Sequence, residues 1–420
     1  MDLTGLKSQL RLAIEHCLQL AHTQPNYQLE LPFWRACESL IGDASQSPDS
    51  SLLIHKTEAE FLVEIAWERL HSVYYKDVPE AWLVMYTVAS CLLCICILDE
   101  DISSVLSLGK AREAIRVLDM ALIMSGAPVL HQEIVELLVR LQAFALQERP
   151  GNVAKEDAEM LLCLRLQTHM PTGPIHLPGH ATNVGLSEAL VNPAKVFPNA
   201  IPRIHANDMS FTQLQQLVTP IVVTHAIDDW PAITEGPLLW QSNIDKIMQD
   251  AIGLDRHVPI EIGRAYTDDR WSQQILSVRK FLQSMLPHDG RDAGKYYLAQ
   301  HGLARQIPRL ANMLRTPDYC LMMPAESEND VQVNYWLGPV GTTSPLHTDP
   351  RRNWFVQLAG YKYVRLYAPE DTHRIYPFER ETILNNTSQI TDLDHVDVSI
   401  YPLFMEARPF ECVVGPGELL

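Results

Sequence analysis

A histidine two residues before an acid can share one metal ion with it when both lie on extended backbone, because residues i and i+2 of a strand project to the same side. Such a pair is the local part of a two-histidine, one-carboxylate iron site. The sequence offers three: His131-Gln132-Glu133, His347-Thr348-Asp349 and His395-Val396-Asp397. His131 opens a predicted helix, where i and i+2 point apart, and His395 lies in the polar run TDLDHVDVS without a strand pattern beside it. His347 follows a Gly-Thr-Thr-Ser-Pro-Leu turn and precedes the apolar run Trp354 to Leu358, so a loop at a barrel mouth would hold its side chain on a rigid base. A surface His and Asp in a turn would carry the same letters.

Lys362 adds a second chemical feature. It stands in Tyr361-Lys-Tyr-Val-Arg-Leu-Tyr367, where strand alternation sets Lys362, Val364 and Leu366 on one face and Tyr361, Tyr363, Arg365 and Tyr367 on the other. Facing inward, an ammonium needs a permanent anion beside it. The distal carboxylate of 2-oxoglutarate is such an anion, and the keto-acid end of that molecule chelates iron. Facing outward, Lys362 is an ordinary surface lysine.

Taken together, Val331-Gln-Val-Asn-Tyr-Trp-Leu-Gly-Pro-Val-Gly-Thr-Thr-Ser-Pro-Leu-His347-Thr-Asp349-Pro-Arg-Arg-Asn353 and Gly360-Tyr-Lys362-Tyr-Val-Arg-Leu-Tyr367-Ala-Pro resemble the core of a Jumonji-C oxygenase. Ile201-Pro-Arg-Ile-His205, Val258-Pro-Ile-Glu-Ile-Gly263 and Tyr266-Thr-Asp-Asp-Arg-Trp271 extend the resemblance, which covers roughly residues 200 to 420. It implies that His347 and Asp349 are iron ligands and catalytic, and that Tyr297, Ser344, Asn353 and Lys362 hold 2-oxoglutarate. It also implies that Glu261, Tyr266, Trp271, Gln300 and Trp336 line a substrate channel, with Fe(II) and 2-oxoglutarate as cofactors and O2 as co-substrate. A carboxylate among aromatic rings suits a guanidinium or methylated ammonium side chain, through charge-assisted hydrogen bonds and cation–π contact.

The expected activity is oxidation of a basic side chain in a protein or peptide, such as a histone tail or a ribosomal or chromatin protein. Arginyl hydroxylation leads; histone lysine demethylation and histone-tail cleavage are the other activities the resemblance implies, with a nuclear address, the cytoplasm second, and chromatin and cell-cycle roles. In the family the strand after the turn matching Gly415-Pro-Gly-Glu418 continues to a second histidine, whereas this sequence ends at Leu420. His373 and His395 lie in polar segments that do not match that ligand. The expectation is therefore two of three iron ligands, a barrel lacking its last strands, and an inactive or weakly active chain. A non-catalytic adaptor with a residual peptide-binding barrel is the alternative, and a sugar- or small-molecule-binding jelly roll a third.

The elements that must position these residues divide the chain. Apolar positions near a 3.6-residue period run through residues 3–21, with a capping box at Thr57-Glu58-Ala59-Glu60 opening a second helix, and further helices over about 110–125 and 129–147. Gly126 and Pro128 stop the third. Six prolines between 171 and 202 exclude a helix there, and beyond them short β-branched and aromatic runs read as strands at 220–223, 258–262, 331–336, 354–358 and 361–367. The predicted fold is α+β and multidomain: a helical scaffold or partner-binding domain over 1–167, a Pro/Gly-rich linker over 168–196, and a double-stranded β-helix, a jelly roll of cupin-like type, over 197–420.

Composition narrows the partners. With 33 Lys and Arg against 51 Asp and Glu, the net charge of −18 opposes binding to a nucleic-acid backbone and favours basic partners. The eight cysteines form no pairing framework, and Cys91-x-x-Cys94 sits in an apolar run without a second Cys/His pair, which reads as buried thiols. The run Ala81 to Leu98 reaches the length of a membrane span, but Asp99, Glu100 and Asp101 follow at once and amphipathic helices flank it, so a helix buried on all sides explains it.

Overall fold

Helices α1 (Thr4–Thr23), α2 (Leu31–Asp43), α3 (Leu52–His71), α4 (Glu80–Asp99), α5 (Leu108–Ser125), α6 (His131–Gln147) and α7 (Gly151–Gln167) fill the first part of the chain. This computed structural model describes residues 4–23, 30–43, 52–99, 106–168, 171, 173–234, 239–263, 271–286, 296–321, 331–379, 382 and 384–420. In α1 the stripe Leu10, Ile14 and Leu18 is buried. Helix α3 begins one turn before the expected capping box: His55, Ala59, Leu62, Ala66 and Leu70 form one buried stripe, so its face starts upstream of Thr57.

Helix α4 is buried almost throughout, packed against α1, α3 and α5, which is the origin of its span-like composition. Its fully buried Thr87 is satisfied: the hydroxyl donates to Leu83 O and meets Ser125 Oγ at 2.9 Å. Burial pushes the Cys91 and Cys94 thiols up, which keeps them protonated. Helix α5 is capped by Ser107 Oγ, which accepts from Lys110 N, and ends at Gly126 with φ +69°. Ala111, Ala114 and Ala121 are fully buried along it, which allows close helix packing.

Helix α7 joins the other half of the molecule. Met160, Leu161 and Leu164 share a core with Trp240, Ile244, Val258 and Phe281. Around this seam Arg149 and Arg279 pair with Asp157, and Arg112 and Arg279 with Asp255.

The Pro/Gly-rich segment is packed rather than free. Helices α8 (Leu186–Val191) and α9 (Pro193–Val196) lie in it, and Leu177, Leu186, Ala189 and Phe197 cluster with Tyr361, Tyr363 and Val413. Prolines exclude long helices, but they do not prevent an irregular segment from burying its apolar side chains.

Among the described residues eight strands follow: β1 (Arg203–His205), β2 (Val222–Thr224), β3 (His257–Ile262), β4 (Ser272–Ser277), β5 (Tyr296–His301), β6 (Tyr335–Leu337), β7 (Lys362–Leu366) and β8 (Phe410–Val414). They pair as parallel β1-β2, a sheet of order β4-β3-β5-β6, and antiparallel β7-β8. The short helix α10 (Phe211–Gln215) is held by a Ser210/Gln213 capping box. The expected strand at 354–358 is a narrow antiparallel ladder: Phe355 exchanges both backbone hydrogen bonds with Leu420, and Gln357 N donates to Glu418 O. Leu419 in turn exchanges both with Val223 of β2. The expected run at 331–336 is extended into a strand only from Tyr335, because Val331 and Val333 are exposed and gain nothing from pairing. These small sheets, antiparallel except for β1-β2, follow an all-helical first part and are consistent with the expected jelly roll.

Candidate active site

His347 and Asp349 stand on a turn that docks on residues 386–388. Thr348 N donates to Asn386 O, Ser388 N to Leu346 O, and Asn386 Nδ2 to Thr348 O. The imidazole is oriented by its own chain: Nδ1 lies 2.7 Å from Pro345 O, so Nδ1 carries the proton and Nε2 keeps its lone pair. Nε2 faces Asp349 Oδ1 at 3.7 Å, close to the spacing of about 3–3.5 Å that two adjacent ligands of one small metal ion span. Asn353 Nδ2 donates to Asp349 Oδ2 at 3.2 Å, which leaves the other oxygen free. One nitrogen and one oxygen donor, oriented on a common side, fit Fe(II). Among the described residues no third His, Cys, Asp or Glu joins them.

Lys362 is on the inner face of β7, the face on which Val364 and Leu366 pack with Ile201, Val222, Cys412 and Val414. Its Nζ lies 5.6 Å from the centre of the Tyr297 ring, and no carboxylate among the described residues forms an ion pair with it. Burial holds its pKa below the ordinary lysine value. Tyr297 lies on β5, with its hydroxyl hydrogen-bonded to Ser344 and its pKa pushed up to about 12 by burial. The opposite face of β7 is covered: Tyr363 OH donates to Glu411, which also meets His180 Nε2 at 2.8 Å and Arg365 Nε at 3.4 Å.

Glu261 on β3 is directly opposite Tyr297 in the antiparallel register, so both side chains share one face of the sheet. Trp271 Nε1 donates to Glu261 Oε2 at 3.4 Å, and burial raises the carboxyl pKa. Trp336 on β6 is exposed, and Gln300 is exposed in the left-handed region with φ +49°, at the irregularity between β5 and β6. Tyr266 lies outside the described residues. The structure thus brings together His347 with Asp349 and Asn353, Tyr297 with Ser344 and Lys362, and Glu261 with Trp271. His373 and His395 stay apart from them; both are exposed, and His395 pairs with Asp392.

Sequence reasoning missed two supports. The 386–388 segment that seats the His347 turn is polar and unpatterned. Gly338 leaves room for Tyr297, since a Cβ there would lie 2.8 Å from Tyr297 Cδ2 and 2.6 Å from Thr342 Oγ1. Only packing reveals either.

Residues 207–420 match the cupin-like domain family. Lysine-specific demethylase 8 of Danio rerio is 33% identical over 371 residues, spanning 86% of this chain and 81% of its own. This chain belongs to the Jumonji-C family. Further relatives agree: Jumonji C domain-containing protein 5 of Drosophila melanogaster is 30% identical over 364 residues (86% and 79% of the two chains), and lysine-specific demethylase JMJ30 of Arabidopsis thaliana 30% over 377 (87% and 80%). Residues 53–155 match the KDM8-like N-terminal ARM repeats, so the buried alanines of α5 belong to a helical repeat that no simple period betrays. Jumonji-C proteins are Fe(II)- and 2-oxoglutarate-dependent oxygenases.

Proposed function

We propose that this Jumonji-C chain oxidises a basic side chain of a protein substrate, with arginyl hydroxylation as the favoured reaction and lysine demethylation or histone-tail cleavage as its rivals. The observation that carries the reading is a lysine on the buried side of β7 with no carboxylate partner among the described residues, Lys362, in the same barrel as the oriented His347 and Asp349 pair.

In this reading His347 Nε2 and Asp349 Oδ1 hold Fe(II), which when bound activates O2 at the expense of 2-oxoglutarate. Lys362 Nζ and the Tyr297 hydroxyl receive the distal carboxylate, a charge-assisted contact for which no acid among the described residues competes. Ser344 and Asn353 complete the cradle: Ser344 fixes the Tyr297 hydroxyl, and Asn353 orients Asp349. Glu261, held by Trp271, attracts the cationic substrate group, with Trp336, Gln300 and Tyr266 around the channel. The names of the relatives from Danio rerio and Arabidopsis thaliana, lysine-specific demethylases, support a basic side chain as the substrate group; a chromatin setting in the nucleus belongs to the same proposal.

His347→Ala and Asp349→Ala are each expected to abolish iron retention and 2-oxoglutarate turnover with an arginine-containing peptide, since loss of even a supporting partner weakens metal binding about 10- to 100-fold. Failure of the folded chain to bind Mn(II) or 2-oxoglutarate would leave the adaptor reading, in which the ARM repeats carry the function.

A further inference from the structure

A single carboxylate of the helical part reaches into the sheet that carries the site. Asp119 of α5 is fully buried, and its two oxygens receive four groups from the cupin-like domain. Arg256 Nε donates to both oxygens at 3.0 Å and Arg256 Nη2 to Oδ1 at 2.7 Å. His257 N donates to Oδ2 at 2.7 Å, and Gln306 Nε2 to Oδ1 at 2.8 Å. Arg256 is itself 2% exposed. His257 opens β3, the strand that carries Glu261.

The bonds around Gln306 fix its amide and then a ring. Gln306 Nε2 donates to Asp119 and also to His257 O at 2.7 Å, so both amide hydrogens are used and Oε1 must accept. His301 Nε2 lies 2.7 Å from that oxygen, so Nε2 carries the imidazole proton. His301 ends β5, directly after Gln300 with its positive φ, and four residues after Tyr297. A left-handed glutamine costs roughly 1–2 kcal/mol and persists only where its surroundings hold it.

We infer that Asp119 is a positioning residue for the 2-oxoglutarate and substrate face: through Gln306 and His301 it clamps the end of β5, and through His257 N the start of β3. The ARM-repeat part is thereby a component of the site rather than an appendage. The inference rests on the reading of Tyr297 and Lys362 as the 2-oxoglutarate cradle.

The test separates positioning from stability. Asp119→Asn leaves Arg256 buried without its countercharge and lowers stability. Asp119→Leu combined with Arg256→Met replaces the pair by apolar side chains of similar size, which recovers the part of the stability lost to the unpaired charge. It does not restore the bonds to His257 N and Gln306. At a temperature where parent and double variant are both fully folded, titration with 2-oxoglutarate in the presence of Mn(II) is expected to show a Kd about 3- to 30-fold weaker for the double variant. His301→Phe should behave alike, and His301→Gln, which keeps a donor near the Nε2 position, should rescue. Amide hydrogen exchange of residues 297–301 supplies a readout without ligand: faster in the double variant and His301→Phe, parental in His301→Gln. Parental affinity and exchange in the folded double variant would overturn the inference. If the parent binds no 2-oxoglutarate, the functional reading fails while the exchange pattern still decides the clamp.

Discussion

Lys362 is the residue whose chemistry is most exposed to test. If its ammonium receives a carboxylate of 2-oxoglutarate, Lys362→Met should weaken 2-oxoglutarate binding about 10- to 100-fold, the worth of one charged hydrogen bond, with little loss of thermal stability; calorimetric titration in Mn(II) reads both. The pH dependence has a definite sign. Burial lowers the Lys362 pKa below the ordinary 10.5, and only the protonated amine attracts the anion, so affinity should fall as pH rises through that lowered value, earlier than for an exposed lysine. Stability of the ligand-free protein runs the other way: the unfolded lysine binds its proton more tightly, so Lys362 costs stability below its folded pKa and that cost disappears as pH rises toward 10.5. Comparing denaturation of the parent and Lys362→Met between pH 7 and 10 isolates this contribution.

At the scale of elements, strands β5 and β6 and the turn after β6 set the position of the Tyr297 ring. Gly338 stands where any side chain would press on Tyr297 and Thr342. Gly338→Ala is expected to cost about 1–3 kcal/mol, in the range of overpacking a closed site, and to weaken 2-oxoglutarate binding because the ring beneath Lys362 must move. Chemical denaturation and ligand titration would show both losses; an unchanged Kd would mean that Tyr297 does not define the cradle. The covering segment before β1 works on the other face of β7. Glu411, 3% exposed, gathers His180, Tyr363 and Arg365, so the strand that carries Lys362 is held from behind by a charged cluster and from within by an apolar one.

At the scale of the whole molecule, charge and connection matter. The net charge of −18 draws cationic peptides over distances set by salt screening. Association of an arginine-rich peptide should slow several-fold when ionic strength rises from about 0.05 to 0.3 M, where the Debye length shrinks below about 10 Å, while the binding of 2-oxoglutarate should change less. Stopped-flow fluorescence, with Trp336 and Trp271 as reporters, measures the first. The helical and cupin-like parts meet through ion pairs among Arg112, Arg149, Arg279, Asp157 and Asp255 as well as through Asp119, so they form a continuous structure rather than beads on a linker.

The sequence by itself determined the elements whose patterns are local. The α5 stop at Gly126, the buried character of α4, and the alternation that groups Lys362 with Val364 and Leu366 on one face all follow from residue type and period, because capping, all-round apolarity and pleat act within a few residues; which face of β7 is the inner one is decided by packing. It also determined the family, since the run from Val331 to Asn353 with Lys362 is specific. It did not fix the start of α3, where a buried stripe from His55 overrode a capping pattern. Nor did it reveal that the proline-rich segment covers β7 and β8, or that residues 386–388 seat His347. These depend on what lies opposite in space. Asp119 marks the boundary most plainly: in the sequence it is one acid in an apolar helix, and only the fold supplies the guanidinium, amide and backbone N–H, 137 to 187 residues away, that make its burial stable.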